Sequence, residues 1–188
     1  MQLKKNILGF ILVIFVTLGG AVSSEENPPY KVILKDGPFE VRYYPKMVVA
    51  SAVTQDGDNS LFRTLAGYIF GGNKSETRIP MTAPVFMKSK EGKNWMMFFM
   101  PSSYTLKSLP KPLDPNVKLG TFNLGKVAVL RYSGLNPKSK RLEKLKELLK
   151  WTKKKGVNVI GTDSISAGYD SPWTFPWNRR NEVFVSVK

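Results

Sequence analysis

The chain has 188 residues, 42% hydrophobic and 23% charged, a balance that suits one globular domain rather than a disordered chain. It contains neither cysteine nor histidine, which excludes disulfides, Ser-His-Asp and Cys-His nucleophile systems, and metal sites built on thiolate or imidazole. Its 29 basic and 14 acidic residues give a net charge of +15, which suits an anionic partner without choosing between nucleic acid, lipid and a small acid.

At the N-terminus, Lys4 and Lys5 precede an apolar run from Ile7 to Leu18, followed by Gly19, Gly20, Ala21, Val22 and Ser23. A positive start, a short apolar stretch and a small-residue site form the pattern of a cleavable signal peptide. The run is shorter than the roughly 20 apolar residues of a bilayer span. Residues 1–23 are therefore expected to be a signal peptide, with retention as an anchor the alternative. Residues 24–188 are expected to form a single domain in the periplasm, cell envelope or extracellular space. Cleavage removes two lysines and leaves the rest strongly basic. An exported chain of this kind is not expected to meet nucleic acid.

Tyr30 to Leu34 and Phe39 to Tyr44 alternate as half-buried strands around the turn signal Asp36-Gly37-Pro38. Pro45 ends the second, and Met47 to Thr54 forms a third strand with small residues on one face. Leu61, Phe62, Leu65, Tyr68 and Ile69 share one stripe of an amphipathic helix that Gly71-Gly72-Asn73 stops. Thr82 to Lys88 and Trp95 to Met100 form a strand pair around a polar loop. Residues 101–118 are a proline-rich connection.

The pattern then recurs. Gly125 to Tyr132 is a strand, and Asn136-Pro137 starts a second helix whose stripe is Leu142, Leu145, Leu148, Leu149 and Thr152. That helix ends in Lys153-Lys154-Lys155-Gly156, with Gly156 expected just past the helix end. Ser164 to Tyr169 and Glu182 to Val187 are the closing strands. Two such halves, each too small to bury its own helix stripe, are expected to share one core.

Three segments carry a resemblance. They are Pro38-Phe39-Glu40-Val41-Arg42-Tyr43-Tyr44-Pro45; Tyr68-Ile69-Phe70-Gly71-Gly72-Asn73 followed by Ile79-Pro80-Met81-Thr82-Ala83-Pro84-Val85; and Ala167-Gly168-Tyr169-Asp170-Ser171-Pro172 with Arg179-Arg180-Asn181-Glu182-Val183. In this order, and spread over about residues 30–188, they resemble the SOUL haem-binding family. The resemblance implies an α+β fold: a distorted eight-stranded antiparallel β-barrel with two long helices, built from two pseudo-symmetric halves like bacterial effector-binding domains. It also implies non-covalent binding of haem or a related tetrapyrrole in an apolar groove, without enzymatic activity.

Haem needs an apolar slot for its macrocycle and cations for its propionates. Phe62, Leu65, Tyr68 and Ile69, with Met81 and Met87, are candidates for the slot, although such stripes are more often core. Arg63, Lys74 and Arg78 are candidates for the propionates. Without histidine, an iron ligand could come only from Tyr68, Tyr169, a methionine or a lysine. No dedicated metal site is expected.

Tyr169, Arg179, Arg180 and Glu182 form either an anion clamp or a buried ion-pair cluster, the latter favoured because acid and base are adjacent. Trp173, Phe175 and Trp177, together with the lysine-rich second helix, support an alternative reading as a peripheral protein on anionic membranes. A monomer is expected. Asp56 to Ser60 lacks the glycine and glutamate of a calcium loop, and Asn73-Lys74-Ser75 matches a glycosylation sequon.

Overall fold

The computed structural model describes residues 25–55 and 58–188, so the expected signal peptide lies outside the described residues. In chain order the elements are β1 (Lys31–Asp36), β2 (Phe39–Tyr44), β3 (Met47–Thr54), α1 (Asp58–Ile69), β4 (Val85–Lys90) and β5 (Lys93–Phe99). Then come β6 (Lys118–Phe122), β7 (Gly125–Tyr132), α2 (Lys138–Lys154), β8 (Val159–Gly168), a 3-10 turn (Pro176–Asn178) and β9 (Asn181–Val187).

The strands form one antiparallel sheet in the order β1-β2-β7-β9-β8-β4-β5-β3-β6. The units β2-β3-α1-β4-β5 and β6-β7-α2-β8-β9 repeat one another. Each lends its leading strand to the other half: β2 pairs with β7 and β6 with β3. The halves meet at β4 and β8, in the middle of the sheet.

The expected distorted eight-stranded barrel is corrected to an open sheet of nine strands, because β1 and β6 are edges with no further strand beside them among the described residues. Closure would require those edges to pair. Instead Lys31, Lys35 and Lys118 on the outer strands are exposed, and edge cations of this kind oppose further strand addition.

Alternation along the strands sorts the core into an inner layer and two helix-covered outer layers. Tyr44, Met47, Val49, Phe86, Phe99, Val127, Val129 and Phe184 belong to one inner cluster. Tyr44 on β2 and Val49 on β3 stand far apart in the strand order, so the sheet curls to bring them together. The resulting interior is solid: Tyr44, Phe86, Val127, Val129 and Phe184 are all 0–1% exposed.

On the outer face, α1 covers Ala50, Ala52, Met96 and Phe98, the alanines letting the helix lie close to β3. On the other half, α2 covers Ala128, Leu130, Val183 and Val185. The stripe of α1 is buried through Leu61, Leu65, Tyr68 and Ile69, whereas Phe62 is exposed. Gly72 closes this helix by donating its N–H to the Gly67 carbonyl at 2.8 Å. A Cβ there would meet that oxygen at 2.6 Å, so only glycine fits.

The expected stripe of α2 is also corrected. Leu142 and Leu149 are exposed, while Leu148, Trp151 and Thr152 are buried. Trp151 replaces Leu149 in the core because it stacks on Phe39 with ring centroids 5.1 Å apart and donates Nε1–H to Asp36 at 2.8 Å. Asn136 does not cap the helix. Pro137 occupies the cap, and Asn136 Oδ1 accepts the Tyr132 hydroxyl at 2.8 Å. Gly156 follows the end of α2 with a φ of 68°, as expected for that position.

Candidate functional site

The residues expected to line a slot on α1 are divided by the fold. Leu65, Tyr68 and Ile69 are core, and the Tyr68 hydroxyl donates to the Pro110 carbonyl at 3.0 Å. Burial pushes the Tyr68 phenol up to about 12, so it stays a neutral hydrogen-bond donor. Phe62 packs edge-on against Phe98, Met81 is half-buried against the α1 core cluster, and Arg63, Lys74 and Arg78 are exposed. Asn73 is fully buried. Its Nδ2 donates to the Tyr68 and Thr77 carbonyls and its Oδ1 accepts from the Ser75 and Thr77 N–H groups, which leaves the sequon side chain committed inside the fold.

A concave surface of mixed polar and apolar lining lies elsewhere, at the seam between the halves. Pairing of β4 with β8 stops at Met87–Ser166, and the β8–β9 register shifts between Val159 and Ser164. Beyond Met87 the two strands part, and Asp163 bridges the gap through ion pairs to Lys88 at 2.8 Å and Lys90 at 3.5 Å. The small side chains of Ser164 and Ser166 leave the outer face shallow beside α2. The result is a cavity of about 350 Å³ between the N-terminal half of α2, β8 and the β4–β5 hairpin.

Met87, Leu142, Leu145 and Val183 give this cleft its apolar part, and Lys90, Lys93, Lys138 and Arg141 give it cations beside one acid, Glu91. Lys138, Arg141, Leu142 and Leu145 share one helix face by their spacing. Of the candidate site residues read from the sequence, only Met87 lines the cleft. The exposure of Leu142 now has a structural context: it faces the cleft rather than the core. Among the described residues, no three His, Cys, Asp or Glu side chains come together as a metal-holding group.

Glu182 forms the centre of a second constellation inside the curled sheet. Its carboxylate is fully buried and accepts from Arg42 at 2.9 and 3.1 Å, from Arg180 at 2.8 and 3.1 Å and from the Tyr169 hydroxyl at 2.7 Å. Arg42 also reaches Glu40 at 2.6 Å and the Tyr44 hydroxyl at 3.0 Å. Above these groups, Tyr30 covers the Arg42 guanidinium at 4.4 Å, and Arg180 lies 3.8 Å from the Tyr169 ring centroid.

Burial opposes the Arg42 charge, yet the bonds to Glu182 and its negative charge outweigh burial and hold the guanidinium above its ordinary value. Burial, aided by the Glu182 charge, drives the Tyr169 phenol well above its ordinary range. With every buried side-chain N and O atom among the described residues satisfied, this cluster is a closed internal brace. Arg179 stands apart from it and binds the Thr174 carbonyl at 2.8 Å. Arg42 is missing from the candidate site residues of the sequence, although its place in the alternating run Glu40-Val41-Arg42-Tyr43-Tyr44 puts a cation on the inward face.

A family model described as SOUL heme-binding protein matches residues 25–186. The chain belongs to the SOUL heme-binding protein family. This SOUL protein is similar to Heme-binding protein 2 of Homo sapiens, 29% identical over 184 residues and covering 89% of each chain. It is also similar to Heme-binding protein 2 of Mus musculus, 28% identical over 191 residues, 91% of this chain and 92% of that one.

Among solved structures, the EcmrR C-terminal domain superposes with a TM-score of 0.58 at 12% identity, covering 85% of the SOUL chain and 98% of that domain. A protein described as a hydrolase from Listeria innocua gives 0.55 at 13% identity, covering 83% and 94%. At such identities the likeness shows a shared fold and carries no activity across. SOUL proteins are a binding family, and the fold is shared with the EcmrR C-terminal domain.

Proposed function

We propose that this chain is an exported, monomeric protein that binds haem or a related tetrapyrrole non-covalently in the cleft beside α2. The observation that carries the reading is the cleft itself: a cavity of about 350 Å³ with an apolar part and a mainly cationic rim. Family membership supplies the chemical class, and the cleft supplies a surface suited to it. Met87, Leu142, Leu145 and Val183 match a macrocycle face, and the ammonium groups of Lys90, Lys93 and Lys138 match carboxylate side arms.

The volume lies near the lower end of the roughly 300–1,000 Å³ of small-molecule sites, so the cleft embraces one edge of a macrocycle and leaves the other open. For iron, the lining offers the Met87 thioether, lysine amines and the Glu91 carboxylate, and the chain has no histidine or cysteine. The residues therefore fit the organic part of haem better than its metal, and bound haem would bring a redox-active iron that this lining does little to hold. Iron-free porphyrin is expected to bind about as well as haem.

Absorbance titration of residues 24–188 with hemin and with protoporphyrin tests the reading. A saturable Soret shift at micromolar ligand is expected, abolished by Leu145→Trp, which fills the cleft, and weakened by Lys138→Glu/Lys93→Glu. No shift beyond that given by an unrelated basic protein would sink it, as would a shift indifferent to Leu145→Trp.

A further inference from the structure

The part of the surface most at odds with a freely soluble chain is the loop that precedes β9. Trp173 is 93% exposed, Phe175 62% and Trp177 69%. Leu135, in the turn between β7 and α2, is 61% exposed and belongs to the same end of the molecule, because the Gly134 N–H donates to the Pro176 carbonyl at 2.9 Å.

These aromatics are held in place rather than left loose. Arg179 Nε donates to the Thr174 carbonyl at 2.8 Å, the Asn178 N–H donates to the Phe175 carbonyl at 2.9 Å, and Asn181 Nδ2 binds the Gly134 carbonyl at 2.9 Å. Phe175 and Trp177 stack in parallel, with ring centroids 4.9 Å apart and planes 8° apart. A loop fixed in this way presents its rings to a partner with little further loss of conformational freedom.

We propose that this end of the molecule, carried by Trp173, Phe175, Trp177 and Leu135, docks onto an anionic lipid bilayer. The rings enter the headgroup boundary, where tryptophan is favoured because one part of it is apolar and its N–H stays hydrated. The basic surface supplies the attraction. Residues 24–188 keep 27 basic and 14 acidic residues, a net charge of +13, and exposed Arg131 and Lys138 bracket Leu135 in the sequence. The one acid at the base of the loop, Asp170, accepts the Arg180 N–H at 2.6 Å.

A second copy of the chain is the poorer occupant, because two strongly basic molecules repel one another. The loop is not a cover for the cleft beside α2 either, since none of its residues lines that cavity. The inference is therefore independent of the tetrapyrrole reading.

Vesicle co-sedimentation tests it, comparing phosphatidylcholine alone with phosphatidylcholine containing phosphatidylglycerol. The protein is expected to bind the anionic vesicles with a blue shift of tryptophan emission and quenching by brominated acyl chains. Trp173→Ala/Trp177→Ala is expected to weaken binding about tenfold or more while leaving the circular dichroism spectrum and porphyrin titration unchanged. Quenching in the unaltered protein reads insertion directly, whatever the double variant does. The proposal is overturned by binding without quenching and unchanged in the double variant, which is attraction by charge alone. Concentration-dependent self-association with no vesicle binding also overturns it.

Discussion

Arg42 on β2 and Glu182 on β9, 140 positions apart in the chain, meet across β7 in a pair of bonds of 2.9 and 3.1 Å, with side chains only 3% and 0% exposed. Neither strand pairs with the other. Their link therefore fixes the curl of the sheet rather than any single ladder. Removing one member of such a pair strands a buried charge, which costs about 3–5 kcal/mol. Glu182→Gln is expected to lower stability by that amount in urea unfolding. Arg42→Met/Glu182→Met is expected to lose less than the two single changes added together, because the two most deeply buried charges are then removed as a pair, and the released Arg180 and Glu40 are partly exposed.

Burial pushes the phenols of Tyr44, Tyr68 and Tyr132 each up to about 12. These groups resist ionisation in the fold and yield it once the chain unfolds. Their folded values lie above the unfolded ones, so the stabilisation is complete below about pH 10 and is lost as pH rises towards 12. Tyrosinate absorbance should rise in a cooperative step that coincides with loss of circular dichroism. A gradual rise with the fold intact would count against the burial of these rings.

The hydrogen bond from Trp151 and the bond and charge of Lys155 hold the Asp36 carboxyl below its ordinary value. A depressed carboxyl stabilises the fold above its unfolded value, near pH 4, and this contribution disappears as pH falls through the lower folded value. Asp36→Asn should therefore lower stability at neutral pH and flatten the acid limb of the stability profile. Thermal unfolding measured from neutrality down to strong acid reads both effects, and an unchanged acid limb would show that Asp36 carries none of it.

Asp163 pairs with both Lys88 and Lys90 beside the cleft, and its own carboxyl is held low first by the Lys88 hydrogen bond and then by the charges of Lys88 and Lys90. Asp163→Asn releases Lys88 and removes one negative charge beside the cleft, while Lys90 keeps Glu91 at 3.9 Å. Affinity for protoporphyrin is expected to rise roughly two- to fivefold, the scale of an exposed charge interaction, and more at low salt. A fall in affinity would indicate that the carboxylate supports the site rather than competing with the ligand.

Much of the fold was legible in the sequence because its strands announce themselves by period and punctuation. Phe39–Tyr44, Met47–Thr54 and Gly125–Tyr132 match the structure at both ends, each bounded by glycine, proline or a polar turn. β6 escaped notice because Lys118–Phe122 follows a proline-rich stretch, carries a central glycine and pairs only along one edge. β8 runs from Val159, five residues before its legible start, because its register shift disrupts the alternation there.

The candidate site was less legible. Amphipathic spacing marks Leu65, Tyr68 and Ile69 as a stripe, but cannot tell a stripe facing a cavity from one facing core. The cleft arises where β4 and β8 separate, a consequence of pairing between distant segments that no local pattern records. For the same reason Arg42 could be placed on the inward face by alternation, yet its meeting with Glu182 depends on the sheet order.

The central claim is that the cleft beside α2, and not the face of α1, receives the ligand. An amide NMR titration of the mature chain with protoporphyrin tests this residue by residue. Saturable shifts are expected at Met87, Lys93, Leu142, Leu145 and Ser166, with Phe62, Arg63 and Arg78 unmoved. Shifts centred on α1 with those cleft residues silent would contradict the account.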